Sequence, residues 1–229
     1  RRGADSEQAP RSLFRLVSGS SEPEGKLASL DRVTPLAAAD FIAGVADQVA
    51  RSRQRDVLLF VHGFNVDFDS CLLRTAQIAL DLPFNGAVVA YSWPSKGGVR
   101  AYGEDEGRNA ESVAPFLAFL QRLRNGLGED AKLHIVVHSM GNRLVLKALS
   151  QWSDADGVSR PIDQLALFAP DVGLNDFREW GPAAVARCRR VSLYTSRHDA
   201  ALIASKGLHA EQRVGDAFPP VLLEGVETI

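Results

Sequence analysis

An α/β fold with a mostly parallel sheet and helices on both faces is what this sequence predicts, on three observations. Apolar runs short enough to be strands alternate with longer stretches of helical periodicity. The runs are continuous rather than alternating, as in strands covered on both sides. Polar residues capable of chemistry fall at the ends of the runs, where open α/β sheets hold their ligands. The 229 residues, 45% hydrophobic and 24% charged, suffice for one large domain with a buried core.

Residues 1–26 are rich in Gly, Ser, Glu and Pro, with one apolar patch, "SLFRLV". They read as an N-terminal arm or an edge strand, and 27–229 as the folded domain. "PLAAADFIAGVADQVARS" sets Phe41, Ile42, Val45 and Val49 on one helical face. "DVLLFVHGFN" follows as a strand closed by glycine. The alternation continues with "SCLLRTAQIALDL" as helix, "GAVVAYSWP" as strand, "ESVAPFLAFLQRLRNGL" as helix and "KLHIVVHS" as strand. Then come "GNRLVLKALSQW" as helix, "QLALFAPDV" as strand, "PAAVARC" as a short helix, "RVSLYTS" as strand and "PPVLLEGVETI" as a last strand. Strands alternating with helices imply right-handed crossovers within one sheet.

Composition narrows the function. A net charge of −2 gives no reason to expect a nucleic-acid or anionic-membrane partner. The densest basic run, "RCRR" at 187–190, reads as a solvated helix end. Cys71 and Cys188 have neither framework nor metal-ligand spacing and read as packed, reduced thiols. No apolar run approaches the roughly 20 residues of a membrane helix. The chain begins at Arg1 rather than Met, so an upstream segment such as a targeting signal is an open alternative, and the compartment stays unassigned.

The strand ends carry His62, Gly63 and Phe64, then Ser92 to Ser95, Ser139, Asp171 and Asp199. Strand, Ser139, "MGN" and helix make the arrangement of a nucleophile elbow, which holds a serine on a tight turn above the sheet. Gly141 supplies one small neighbour; Val137 stands where the usual G-x-S-x-G pattern has its first glycine. A helix N-cap serine would explain the hydroxyl but leave "HGFN" unexplained. Acyl transfer also needs oxyanion donors, and the amides of Met140 and Phe64 are the candidates, with Gly63 keeping the loop slim. His62 is expected to brace that loop.

Five segments, "LLFVHGFNVDFDSCLLRTAQIALDLPFNGAVVAYSWPS", "YGEDEGRNAES", "HIVVHSMGNRLV", "LFAPDV" and "SLYTSRHDAAL", resemble in order the bacterial alpha/beta-hydrolase family catalogued as DUF900, a domain of unknown function. The resemblance runs from about Leu36 to the C-terminus. It implies an alpha/beta-hydrolase fold, a three-layer arrangement, and serine-esterase or lipase-like chemistry on a small-molecule ester, with no metal or organic cofactor. The superfamily order Ser, Asp, His favours Asp199 as the acid that orients an imidazole, with Asp171 as the alternative. His134, His138 and His198 are poorly set for the base. His209 satisfies the order but precedes the last strand, whereas relatives continue past "VETI" into a segment carrying a histidine. Two alternatives therefore stand: His209 is the base, or the base lies beyond Ile229. "GLNDFREWGPAAVARCRR" is too short for a large cap domain, which predicts an open site and short, water-soluble esters. The rival functions are a noncatalytic binding protein on the same fold and an acyltransferase.

Overall fold

Crossover handedness explains the layering. The six strands are β1 (Asp56–Val61), β2 (Ala87–Tyr91), β3 (Lys132–His138), β4 (Ile162–Phe168), β5 (Cys188–Tyr194) and β6 (Val226–Thr228). All pair in parallel, in the order β2-β1-β3-β4-β5-β6. The computed structural model describes residues 30–82, 84–96, 101–153, 161–196 and 212–229. The arm at 1–26 therefore lies outside the described residues. Helices are α1 (Ala38–Arg51), α2 (Phe68–Asp81), α3 (Tyr102–Glu111), α4 (Val113–Gly126), α5 (Gly141–Ser150) and α6 (Leu174–Arg187). From β1 the chain steps one way to β2, then every later step runs the other way. Right-handed connections must then put the helix between β1 and β2 on one face and the later ones on the opposite face. Accordingly, α2 packs Cys71 and Ile78 against Leu58, Phe60 and Val136. Helices α1, α4, α5 and α6 share the larger core with Val57, Leu59, Val61, Ile135, Val137, Leu165 and Leu193. This is the three-layer alpha/beta-hydrolase arrangement, with the sheet wholly parallel.

β1 is buried on both faces from Val57 to Val61, which is why its sequence is unbroken apolar residues. Its register with β3 aligns Val61 with Val137. The two strands therefore end level, and the loops leaving them meet. The direction of strand order reverses between β1 and β3, so this is also the switch point where such sheets form a crevice. Asp67 caps α2 by accepting from the Ser70 amide at 2.7 Å, and that bond holds its carboxyl below the usual range.

Four elements differ from expectation. Tyr102–Glu111 is a helix in its own right, joined to α4 at Ser112; its two glycines and lack of an apolar stripe hid it. α6 begins at Leu174, well before "PAAVARC", and runs through Gly181 and Pro182, a pair that reads as a break. The last strand shrinks to three residues. "RCRR" is only partly a helix end: Arg187 closes α6 and donates to the Trp152 carbonyl, while Cys188 to Arg190 open β5, where Arg189 pairs with Asp163 and Arg190 with Glu227. From Phe168 to Cys188 the chain holds a turn and α6, with no cap domain inserted. Both cysteines are buried, and burial pushes the Cys71 thiol up to about 11. No described helix is long and apolar enough to cross a membrane.

Candidate active site

Ser139 follows the last residue of β3 with φ of +49°, a region that non-glycine residues seldom occupy and that clusters at functional sites. Its backbone is held there by several bonds. The Ser139 amide donates to the Phe168 carbonyl at 3.0 Å. The Ser139 carbonyl accepts from the Asn142 amide at 3.1 Å, Asn142 Nδ2 at 2.8 Å and the Asp171 amide at 3.3 Å. The hydroxyl Oγ has no hydrogen bond among the described residues, although Ser139 is only 1% exposed. Val137 fits in place of glycine because its Cγ2 faces Gly141, where even a Cβ would lie 3.2 Å away. The missing side chain at 141 makes room for the branched one at 137.

The loop after β1 lies directly on this turn. A Cβ on Gly63 would come 2.8 Å from Ser139 Cβ and 3.0 Å from the His138 carbonyl oxygen. A Cβ on Gly141 would come 2.4 Å from the His62 carbonyl oxygen. Neither position tolerates a side chain without backbone movement, so the loop and the elbow interlock through their glycines. The expectation of an open site is corrected at the serine itself, which is buried, and the close approach of Gly63 is one contact that takes water from it. Beside it, neither the Phe64 nor the Met140 amide has a backbone acceptor among the described residues, and Asn65, at φ +57°, turns the chain onward.

His62 braces the loop. Its Nδ1 lies 2.8 Å from the Gly63 carbonyl, and its Nε2 lies 3.1 Å from the Trp93 carbonyl and 3.2 Å from Ser92 Oγ. A neutral ring meets two of these three contacts, with Nδ1–H donating to the Gly63 carbonyl and Nε2 accepting from the Ser92 hydroxyl; the Trp93 carbonyl then faces Nε2 without a hydrogen bond. Trp93 stacks on the imidazole at 5.1 Å and donates its Nε1–H to the His62 carbonyl at 2.8 Å. Burial lowers the His62 pKa to about 4, and Arg74 acts in the same direction. Unfolded, the ring takes up its proton as pH falls below about 6.5, whereas folded it resists until about 4. The stability from keeping it neutral is complete above pH 6.5 and lost as pH falls through 4. Urea unfolding at pH 7.5 and pH 4 should therefore show the native protein losing about 3 kcal/mol more than His62→Gln, from the roughly 1.4 kcal/mol carried by each pKa unit. Equal losses would exclude a buried neutral imidazole.

Behind the elbow lies a buried charged cluster. Asp171 accepts a short bond from the Tyr102 hydroxyl, and its Oδ1 lies 3.3 Å from both Arg143 Nη2 and Arg213 Nε. Arg143, in the first turn of α5, also pairs closely with Glu106 and donates to Tyr102 Oη at 2.9 Å. Burial alone would lower the Arg143 pKa, but Asp171, Tyr102 and Glu106 outweigh it and raise the value. Asp105 accepts from Ser95 Oγ at 2.6 Å and the Lys96 amide at 2.8 Å, fixing the loop after β2. Asn109 Nδ2 donates to the Met140 carbonyl at 3.3 Å. Residues 102, 105, 106 and 109 form one helical face, and α3 uses it to bind the loops around Ser139. Among the described residues no cluster of three His, Cys, Asp or Glu side chains is gathered to hold a metal.

Residues 37–223 match the model of a family described as "Alpha/beta hydrolase of unknown function (DUF900)". The chain belongs to the DUF900 family. An uncharacterized protein of Nostoc sp. (strain PCC 7120), alr1448, is 40% identical over 122 residues, which cover 42% of this DUF900 chain. The match takes in 32% of the Nostoc protein, so this chain spans about a third of that relative's length. A crystal structure of a candidate thioesterase from Silicibacter sp. TM1040 aligns over 98% of this chain and 86% of its own, at 13% identity and a TM-score of 0.33.

Of the residues singled out from the DUF900 sequence, the structure brings together His62, Gly63, Phe64, Ser139, Met140 and Gly141 at the ends of β1 and β3. Asp171 adjoins them through its amide, with its carboxylate turned to the two arginines and Tyr102. Asp199, His198 and His209 lie outside the described residues. His134 sits low on β3, with Nε2 3.8 Å from Asp56, far along the strand from its carboxyl end. The polar face of α3, Arg143, Asn142 and Arg213 went unread. Tyr102, Asp105 and Asn109 at helical spacing were the available signal.

Proposed function

We propose that this DUF900 hydrolase is a serine carboxylesterase acting on small esters through an acyl-enzyme. Ser139 Oγ attacks the ester carbonyl carbon, and its proton passes to a histidine imidazole oriented by Asp199, with His209 the candidate within these residues. The amides of Phe64 and Met140 hold the negative oxygen of the tetrahedral intermediate. Collapse expels the alcohol, which takes the proton from the imidazole. Water then repeats the sequence on the acyl-serine and releases the acid. The observation that carries this reading is a serine held at positive φ whose hydroxyl has no hydrogen bond among the described residues, beside two amides that find no backbone acceptor there. A noncatalytic binding protein on the same fold has one observation on its side, the 1% exposure of Ser139. Reaction with a fluorophosphonate, followed by peptide mapping, separates the two. Stoichiometric adduct on Ser139 is expected, and an unlabelled protein would sink the hydrolase.

Substrate size follows from the same enclosure. A long acyl chain needs an apolar tunnel. No cap domain stands between Phe168 and Cys188 to build one. Turnover should therefore be highest on acetyl and butyryl esters of p-nitrophenol. A rate climbing steadily to the palmitoyl ester would contradict a short acyl site.

A further inference from the structure

We infer that Asp171 is a positioning residue: with Arg213 it clamps the strap 212–216 onto the elbow, and it is not the acid that orients the base. The strap runs across the turn after β4. The Leu174 amide donates to Gln212 at 3.2 Å, Val214 to the Val172 carbonyl at 2.9 Å, and Gly215 to the Pro170 carbonyl at 2.8 Å. The approach is close enough that a Cβ on Gly215 would fall 2.5 Å from the Ala169 carbonyl carbon. The Ser196 amide donates to the Gly215 carbonyl at 2.9 Å, and Ser196 forms a bridge with Asp216. Ser196, the last described residue before the interval, is thus bonded to the strap that begins at Gln212. By sequence that interval contains Asp199 and His209.

Within the strap, Val214 joins the core and Arg213 is 4% exposed, with its Nε facing Asp171 Oδ1. Asp171 in turn donates its amide to the Ser139 carbonyl, and Arg143 Nε donates back to the Asp171 carbonyl. One short path of hydrogen bonds and ion pairs therefore runs from the strap to the nucleophile's own backbone. A triad acid must offer uncompensated negative charge to a developing imidazolium. Here two guanidinium groups and a tyrosine hydroxyl already meet the Asp171 carboxylate, which suits an anchor. Which residues are positioned rests on the proposed serine-esterase reading; the clamp itself does not.

The test uses the full chain and two readouts. Amide hydrogen exchange at Ser196, Val214 and Gly215 reports the clamp without any catalysis. The rate of fluorophosphonate labelling at Ser139 reports its catalytic consequence. Arg213→Ala and Asp171→Asn should each speed exchange at those amides and slow labelling by roughly 10- to 100-fold, the size of coupling within one ion-pair network. The double variant should cost no more than either single one, and Arg213→Lys should restore part of both. If Arg213→Ala loosens every amide, including those of β1 and β3, Arg213→Lys carries the comparison. Unchanged exchange at the strap amides would overturn the clamp. So would Asp171→Asn abolishing labelling while Arg213→Ala leaves it intact, the pattern of a triad acid. A native protein that never labels would defeat the esterase reading, with exchange alone still deciding the clamp.

Discussion

Ser139→Ala is expected to abolish fluorophosphonate labelling and to lower ester turnover by roughly 10⁴-fold or more, the loss seen when one member of an interdependent triad is removed. The fold should tolerate the change. The φ of +49° at Ser139 is a strain that alanine also bears, and the bonds locking the turn run through backbone atoms that the substitution leaves in place. Normal thermal unfolding with no turnover is therefore the expected pair of results. His209→Ala tests the base by the same logic. If His209 takes the serine proton, its loss should cost about as much as Ser139→Ala, and the double variant should be no worse than either. A His209→Ala protein that keeps most of its turnover would exclude His209. Labelling that survives Ser139→Ala would overturn the nucleophile assignment.

Gly63→Ala should cost roughly 10²- to 10³-fold in kcat, the usual effect of losing one oxyanion donor, with little change in KM. The added methyl would sit 2.8 Å from Ser139 Cβ, 3.0 Å from His138 Nδ1 and 3.0 Å from the His138 carbonyl. Two of those three neighbours belong to backbone or to the fixed first carbon of a side chain. The β1 loop must therefore withdraw, carrying the Phe64 amide away from the developing oxyanion. Stability should fall by only about 1–3 kcal/mol, the ordinary cost of overpacking. Kinetics and thermal melts on the purified variant decide it. Full kcat with a normal melting temperature would mean that the Phe64 amide takes no part.

Where one local rule governs a segment, the sequence makes it legible. β1 and β3 are legible because burial on both faces leaves an unbroken apolar run, and the tight turn at Ser139 because a small residue follows a strand end there. α3 escaped because its buried face is polar: Tyr102, Asp105 and Asn109 are inside, yet charges and glycines along a helix ordinarily mark a solvated surface. The clamp was out of reach for another reason. Tyr102 and Asp171 are 69 residues apart, and Arg143 and Glu106 are 37 apart, with no periodicity relating them. Asp171 thus looked like any aspartate at a strand end until its partners were known. α6 was misjudged in length because Gly181 and Pro182 each disfavour helix in isolation, while in the fold Gly181 supplies the space that Leu223 occupies.

Val137 has a consequence for how such sites are recognised at all. The two glycines of the usual G-x-S-x-G pattern answer to different neighbours here. The second one faces the carbonyl oxygen of His62 on another loop, an atom with no freedom to retreat. At the first position Val137 turns its Cγ2 toward Gly141, and once Gly141 is bare the branched side chain fits there. The pattern is therefore two unequal demands written as one. A search that weights both glycines equally discards chains such as this, whereas one that insists on the second and pairs it with a histidine–glycine turn after an earlier strand would retain them. In that sense the signature of the site is distributed between two loops, and the serine pentapeptide is only the half that lies close together in sequence.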